Sequence, residues 1–557
     1  MKSYPIVYQG DIATALNNIG ITDFMILNDL LAVAYVADDF NGDILDNTYE
    51  VAWYQESKTM STMIEINENI EGGERVATAA GTNFIEDNPY INLNGKDVLI
   101  GIIDSGIDYL HPDFINEDNT SKIISIWDQE SEVKPPPEGM IFGSEFTRDD
   151  INQAISNNDD TLTKDNIGTG TIAAGIAVGN GRVNPLYKGV ALGSELIVVK
   201  LRQYEGTFKE GRINYINTDF LAGIKYILDV AQKEDKYLII NLTLGQRPRS
   251  LILTTLLNTF QEIRGNGVFV VSGAGNEGNT DVHYEGSLQG VDNFQDVILE
   301  VGEQKNLDIT IALNDPGRVG VELISPSGEI SYKVNYAPDN EQYEGEFNLE
   351  DSPYEIRLIY PWLLSGNEEL LIRIIDIKPG IWIIRLYPEI TITGEVDIYL
   401  PNKNLIAEDT RFLDPNSYST ITFYGGTESV ITIGAYNDKT NSMWIGSSRG
   451  PLKGRELIKP DIVAPGVDII GPYINNNYAK ATGTGVSSSL ACGVMALIIE
   501  YINNQGTYAS RALYTRVLKT YLMLGATKNT IYSYPNDTQG YGVLDLQRTI
   551  EAIANKL

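Results

Sequence analysis

The chain reads as an α/β protein: a doubly wound, mostly parallel sheet with an N-terminal α/β unit and an inserted, jelly-roll-like β-sandwich. Three observations predict this. Continuous apolar runs recur after about residue 93, as in parallel strands buried on both faces. Helical patterns separate several of those runs. Between about 285 and 420 the helical pattern gives way to short strand-like runs divided by turn signals.

At 557 residues the chain exceeds what one compact core holds, so several domains are expected. Residues 1–80 read as strand Tyr4–Gln9, helix Ile12–Ile19, then strands Phe24–Leu27 and Leu31–Val36. Asp11 is the expected N-cap and Asn28-Asp29 the turn between the last two strands. An acidic, Gly-containing stretch, Asn67–Glu74, follows as a linker.

The α/β core is expected over 81–284 and 421–557. Asp97–Ile103, Leu196–Val199, Leu238–Leu242, Val268–Ser272 and Val430–Ile433 are its strands, with helices Phe220–Ala231 and Leu251–Arg264 between. The insertion, 285–420, contributes Val297–Val301, Asp308–Ala312, Gly320–Ile324, Glu329–Val334, Leu370–Ile375, Ile381–Leu386 and Gly394–Leu400. Pro326-Ser327-Gly328 and Lys378-Pro379-Gly380 mark turns between them.

Composition excludes several functions. Lys and Arg total 41 against 75 Asp and Glu, a net charge of −34. A field of that sign repels nucleic acid and anionic lipid, so neither is an expected partner. The single cysteine, Cys492, excludes an internal disulfide and lies in the apolar run Leu490–Ile499, where a buried thiol is expected. The start, MKSYPIVYQGDIATAL, lacks an apolar stretch long enough for a secretory signal, and Asp11 interrupts it. No membrane span is expected. The expectation is a chain made in the cytoplasm and monomeric on its own.

Four segments carry chemistry. Val98–Phe114, VLIGIIDSGIDYLHPDF, ends a strand on Asp104; Asp165–Gly175 reads DNIGTGTIAAG; Ser272–Gly278 reads SGAGNEG; Gly483–Ser487, GTGVS, opens an apolar helix. Two more, Ser447–Pro451 (SSRGP) and Lys459–Gly466 (KPDIVAPG), precede the last. Together, over roughly 95–280 and 420–550, they resemble the subtilisin-like serine proteases. The resemblance implies a catalytic aspartate at Asp104, a histidine at Thr169, an oxyanion-hole asparagine at Asn276 and a nucleophilic serine at Gly485. It also makes residues 1–80 a prodomain.

The implied reaction needs a nucleophile and a base. A threonine hydroxyl is no base near neutral pH, and glycine has no side chain. The adjoining Ile172 also departs from the family's second histidine. Ser487 lies about 200° round a helix from Gly485, while Ser488 and Ser489 return to that face one turn further on. Neither His111, which follows Asp104 in a loop motif, nor His283, in the loop after Asn276, is expected to substitute.

No motif asks for a cofactor and no ligand loop compels a metal. Within the family the chain resembles the Csp group of clostridial spore germination proteins, most of all its CspC-type pseudoproteases. That resemblance implies an inactive chain in the bacterial spore, a retained prodomain filling the cleft, and partners of the active CspB type and the inactive CspA type. It implies a bile-salt germinant as ligand, for which the basic cluster Arg449, Lys453 and Arg455 is the candidate receiver. Two other readings stay open: a weak serine-type endopeptidase with another nucleophile, and a scaffold for the active protease.

Overall fold

The computed structural model describes residues 2–86, 88, 91–206, 208–247, 254–290, 293–337, 342–361, 366–452, 457–506 and 513–555. Seven parallel strands form its centre, in the spatial order Ile123–Asp128, Glu195–Lys200, Val98–Asp104, Tyr237–Leu242, Val268–Gly273, Val430–Asn437 and Ile462–Pro465. Antiparallel strands Ser144–Thr147 and Ser442–Met443 extend it.

These strands are apolar on both faces because both faces are covered. Ile100 and Ile102 of Val98–Asp104 pack with helices Thr169–Val178 and Thr484–Asn504. Leu99 and Ile103 point the other way, towards Phe220 and Ile224 of helix Asn217–Glu234. The Thr484–Asn504 helix is long and apolar enough to cross a membrane by composition, a length the sequence reading did not credit. Its most apolar window is 89% buried inside the fold, so here it is the core helix.

Strand order fixes where a site can form. The chain leaves Val98–Asp104 towards one edge, then returns to add Tyr237–Leu242 on its other side. A crevice opens at the carboxyl ends of strands where order reverses in this way. Asp104 and Thr243 stand at that crevice.

The N-terminal unit is a four-stranded antiparallel sheet, ordered Phe24–Asn28, Leu31–Val36, Lys2–Tyr8 and Val51–Tyr54. Its helix, Ile12–Asn18, is capped by Asp11 and covers one face through Ile12 and Leu16. The other face, with Met25, Leu27, Val33 and Tyr35, lies on helix Asn217–Glu234. Polar groups at the start of that helix complete the seam. Tyr35 donates to Asp219 at 2.8 Å, and Arg202 grips the same carboxylate with two bonds of 2.9 and 3.0 Å.

The insertion builds two antiparallel sheets around its own core. The larger runs His283–Ser287, Glu395–Tyr399, Asn306–Leu313, Glu369–Ile375, Ser352–Ile359 and Gln342–Phe347; the smaller runs Arg318–Ile324, Gly380–Ile390, Gln295–Val301 and Arg411–Phe412. Strand Gly380–Ile390 alternates buried and partly exposed positions, the pattern of a sandwich wall.

Three sequence expectations need correction. Leu251–Arg264 is not one helix: Thr254–Asn258 is helical and Gln261–Arg264 is a separate 3₁₀ turn, while Leu251 lies outside the described residues. Between them the Thr259 hydroxyl bonds back to Leu256 O at 2.7 Å and accepts from Asn28 at 3.1 Å, local bonding that competes with helix continuation. Glu329–Val334 makes only isolated bridges at Ile330 and Val334, because the Ser331 hydroxyl takes the Leu323 N–H. Strands Gln342–Phe347 and Ser352–Ile359 were not anticipated. The first is an edge strand whose exposed Glu344 and Glu346 hide its periodicity.

Candidate active-site cleft

Asp104 ends its strand fully buried. Its Oδ1 accepts from Ser105 N at 2.7 Å and from the Thr169 hydroxyl at 2.5 Å; its Oδ2 accepts from the Thr243 hydroxyl. All three donors are neutral. Burial raises this carboxyl above its usual value, and the Thr169 and Thr243 hydroxyls only partly offset that.

Thr169 is held in place by its helix. Asp165, three residues ahead of the N-cap position Gly168, accepts from Ile167 N, Gly168 N and Thr171 N at 2.7–3.1 Å. The Asp165–Gly175 motif does not by itself reveal this role, because the bond to Thr171 N spans six residues. Ser105 follows Asp104 directly but its bond to Gly170 N forms only in the fold, and Thr243 was missed because nothing in sequence joins residue 243 to residue 104. Only the parallel pairing of their strands does.

Thr484 opens the second helix of the cleft. Its N–H and hydroxyl both donate to Asn276 Oδ1, at 3.0 and 2.9 Å, and the hydroxyl accepts from Gly275 N at 3.0 Å. Asn276 is thus tied to the helix start. The following residue, Gly485, presents only its backbone, and its N–H donates to Met63 O at 3.1 Å.

Met63 arrives on a strand that the sequence did not single out. Thr59–Thr62 pairs antiparallel with Tyr215–Ile216 on one side and Leu244–Gly245 on the other. Met63 N then donates to Thr243 O at 2.8 Å. The Met63 thioether fills a slot beside Thr484, whose hydroxyl lies 3.6 Å from Sδ. Asn402 and Asn404 of the insertion clasp the strand, donating to Ser61 Oγ at 2.9 Å and Thr62 O at 3.0 Å. The sequence reading ended the prodomain near 80. The residues facing Gly485 are Met63 and Ile64, and helix Val76–Ala80 already packs against Thr484–Asn504.

Two glycines are required by this close approach. Gly483 has φ +138°, and a Cβ there would stand 2.2 Å from Met63 O. A Cβ on Gly485 would meet Ile64 Cγ1 at 2.7 Å and Met63 O at 3.0 Å. The cleft therefore presents a backbone donor on a peptide carbonyl, an arrangement that binds an oxygen. It places no hydroxyl at position 485 and no imidazole at 169.

The remaining named residues sit in structural roles. Ser487 donates to Ala464 O, Ser488 to Asn241 Oδ1, and Ser489 to Gly485 O, all buried. His111 is buried, one ring nitrogen on Asn477 O at 3.1 Å and the other on Asp113 N. His283 is buried in the insertion between Asp397, at 2.8 Å, and Asn416 O. Cys492 is buried, which pushes its thiol well up. Arg449 donates to Ile445 O at 3.2 Å and lies over the Tyr418 ring; Lys453 and Arg455 lie outside the described residues. Among the described residues no group of three or more His, Cys, Asp or Glu could hold a metal ion.

The model of the subtilase family matches residues 95–339 and 402–542, more than half of the chain. The chain belongs to the subtilase family. The structure of the CspB protease of Clostridium perfringens is similar, at 28% identity and a TM-score of 0.75, over 86% of this subtilase and 98% of that chain. The epidermin leader peptide processing protease of Staphylococcus aureus shares the fold, at 14% identity, TM-score 0.50 and 99% coverage of both chains. Among curated relatives, the C5a peptidase of Streptococcus pyogenes is 30% identical over 158 residues, 28% of this chain. The chain spans only 13% of that peptidase's length. The subtilisin-like protease SBT2.2 of Arabidopsis thaliana is 23% identical, over 80% of this chain and 60% of its own.

Two outcomes are expected. In Gly485→Ala, helix propensity favours alanine by at most about 1 kcal/mol, whereas overpacking against Ile64 and Met63 costs about 1–3 kcal/mol. Urea unfolding should show net destabilisation that shrinks in the Ile64→Ala background; equal losses in both backgrounds would refute the contact. Separately, a carboxyl raised in the fold binds more protons there than in the unfolded chain, so its ionisation weakens the fold. Stability relative to Asp104→Asn should fall as pH rises above about 4; an unchanging difference would contradict the burial account.

Proposed function

We propose that this subtilase is a pseudoprotease, a protease fold used for recognition, which acts in the bacterial spore during germination. Its role is to sense a bile-salt germinant or to regulate an active CspB-type protease. The observation that carries this reading is the bond from Gly485 N to Met63 O, made where the family's serine would stand. With glycine at 485 and a threonine hydroxyl committed to Asp104, acyl transfer lacks both its nucleophile and its base. The buried serines nearby are spent on other acceptors.

A second line of support is the segment in the cleft. It is continuous with the chain and paired on both sides, so an added peptide meets an occupied groove. A chain that cannot cut this connection keeps its N-terminal unit docked. The likeness to a protease named CspB, over most of both chains, supports placing the chain beside such an enzyme. A scaffold role without germinant binding shares every one of these features and differs only in its ligand.

A fluorophosphonate probe, which bonds covalently to activated serine hydroxyls, should leave the purified full chain unlabelled, and its full-length mass should persist on incubation. Labelling, or turnover of an added peptide, would contradict the pseudoprotease reading. Calorimetric titration with cholate then separates the two roles: saturable heat assigns the sensor, and its absence together with binding to a CspB-type protease assigns the regulator.

A further inference from the structure

The chain enters the inserted sandwich on strand His283–Ser287 and leaves it after Arg411–Phe412. His283 ties the two crossings together. Its backbone carbonyl accepts from Asn416 N at 2.8 Å. Its ring is 1% exposed and stacks on Tyr399, with 4.6 Å between centroids. Nδ1 stands 3.1 Å from Asn416 O, and Nε2 stands 2.8 Å from Asp397 Oδ1.

Both of those oxygens are acceptors. A neutral imidazole has one N–H and can serve one of them; only the imidazolium donates to both. A proton lost from Nε2 would set a bare ring nitrogen against a carboxylate, so the proton that leaves is the one on Nδ1. The neutral ring then keeps its bond to Asp397 and turns a lone pair on the carbonyl of Asn416.

The charges on this face of the larger sheet favour the imidazolium. Residues in register share a face of an antiparallel sheet. His283 is opposite Tyr399, Glu285 is opposite Asp397, and Ala312 is opposite both Asp397 and Glu369. Glu285, Asp397 and Glu369 are therefore on the ring's face, with Glu395 and Asp308 further along the same rows. The arginine of those rows, Arg373, is engaged with Asp308 and Glu56. The second oxygen of Asp397 accepts from the neutral amide of Asn314 at 2.6 Å. The exit segment adds Asp414 and, beyond it, Arg449.

Arg449 depends on the same crossing. Tyr418 N donates to Asn416 Oδ1 at 2.7 Å, and the Arg449 guanidinium lies over the Tyr418 ring. Ser419 N donates to Gly450 O at 3.1 Å, and Thr420 N to Arg449 O at 2.9 Å. Arg449 N returns a bond to Thr420 Oγ1 at 3.0 Å. A change at Asn416 thus reaches the seat of Arg449 within four residues of chain.

We propose that His283 is a proton-controlled clamp on the exit from the insertion. Protonated, it holds Asn416 and steadies residues 416–420 with Arg449; deprotonated, it releases Asn416 O and lets that connection open locally. The clamp stands whether or not the pseudoprotease reading holds.

Hydrogen exchange of the full chain, read by mass spectrometry on peptides covering 413–420, tests it. Protection there, corrected for the intrinsic pH dependence of exchange, should fall at least about tenfold between about pH 5 and about pH 8, as one charge-assisted bond is lost. Protection of Val98–Asp104 should hold over the same range. His283→Gln has no ring proton to lose and should show low protection of 413–420 at both ends of the range. Should that variant lose its circular dichroism spectrum, Asp397→Asn serves: without the carboxylate, the fall should come at lower pH than in the natural chain. Protection that does not change with pH, a fall of equal size in His283→Gln, a fall unmoved in Asp397→Asn, or a fall shared by Val98–Asp104 would each overturn the proposal.

Discussion

The Gly485 amide and the Met63 carbonyl, 3.1 Å apart, join the two ends of a problem that the fold solves once. A helix start has amide donors with no partner inside the helix, and an extended strand has a carbonyl to place. Around that bond the rest assembles. The Thr59–Thr62 strand completes a three-stranded ladder with Tyr215–Ile216 and Leu244–Gly245, and Met63 N adds Thr243 O. Withdrawing the strand would leave those backbone groups unpaired at a buried surface. The close approach also explains the missing side chains at 483 and 485, because a Cβ at either meets the Met63–Ile64 backbone or side chain.

The carboxylate of Asp104 shows what becomes of a charged group when its usual partner is absent. In the family's mechanism the aspartate orients an imidazole that becomes cationic. Here three neutral donors surround it, and among the described residues no cation bonds to it. Thr169 is held through the Asp165 bonds to its helix start, and Thr243 through the bond its carbonyl accepts from Met63 N. Proton transfer would need a different residue at 169.

Local pattern carried much of the fold into view. The Asp97–Ile103 run, the Asp11 cap and the alternation in the Ile381–Leu386 strand all reflect forces acting over a few residues. What local pattern could not carry were contacts between distant segments. Met60 opposite Tyr215, Asn402 against Ser61, and Thr243 against Asp104 depend on the winding of the sheet and on where the insertion leans. Positions 104, 169, 276 and 485 could be named from motifs, but the motifs gave no reason to look at Met63. Strand Glu65–Asn67, which overlaps the expected linker Asn67–Glu74 only at Asn67, gains its regularity from pairing with Asn477–Thr482 and not from its own composition.

A permanently filled cleft requires a strand that remains part of the native structure. Native-state hydrogen exchange reads this directly at the amides of Thr59, Ser61, Met63 and Gly485. If the strand is built into the fold, those amides exchange only as slowly as the amides of Val98–Asp104, through the same global opening. If they exchange much faster while the central sheet stays protected, the strand leaves the cleft on its own and the account of a permanently filled site is contradicted.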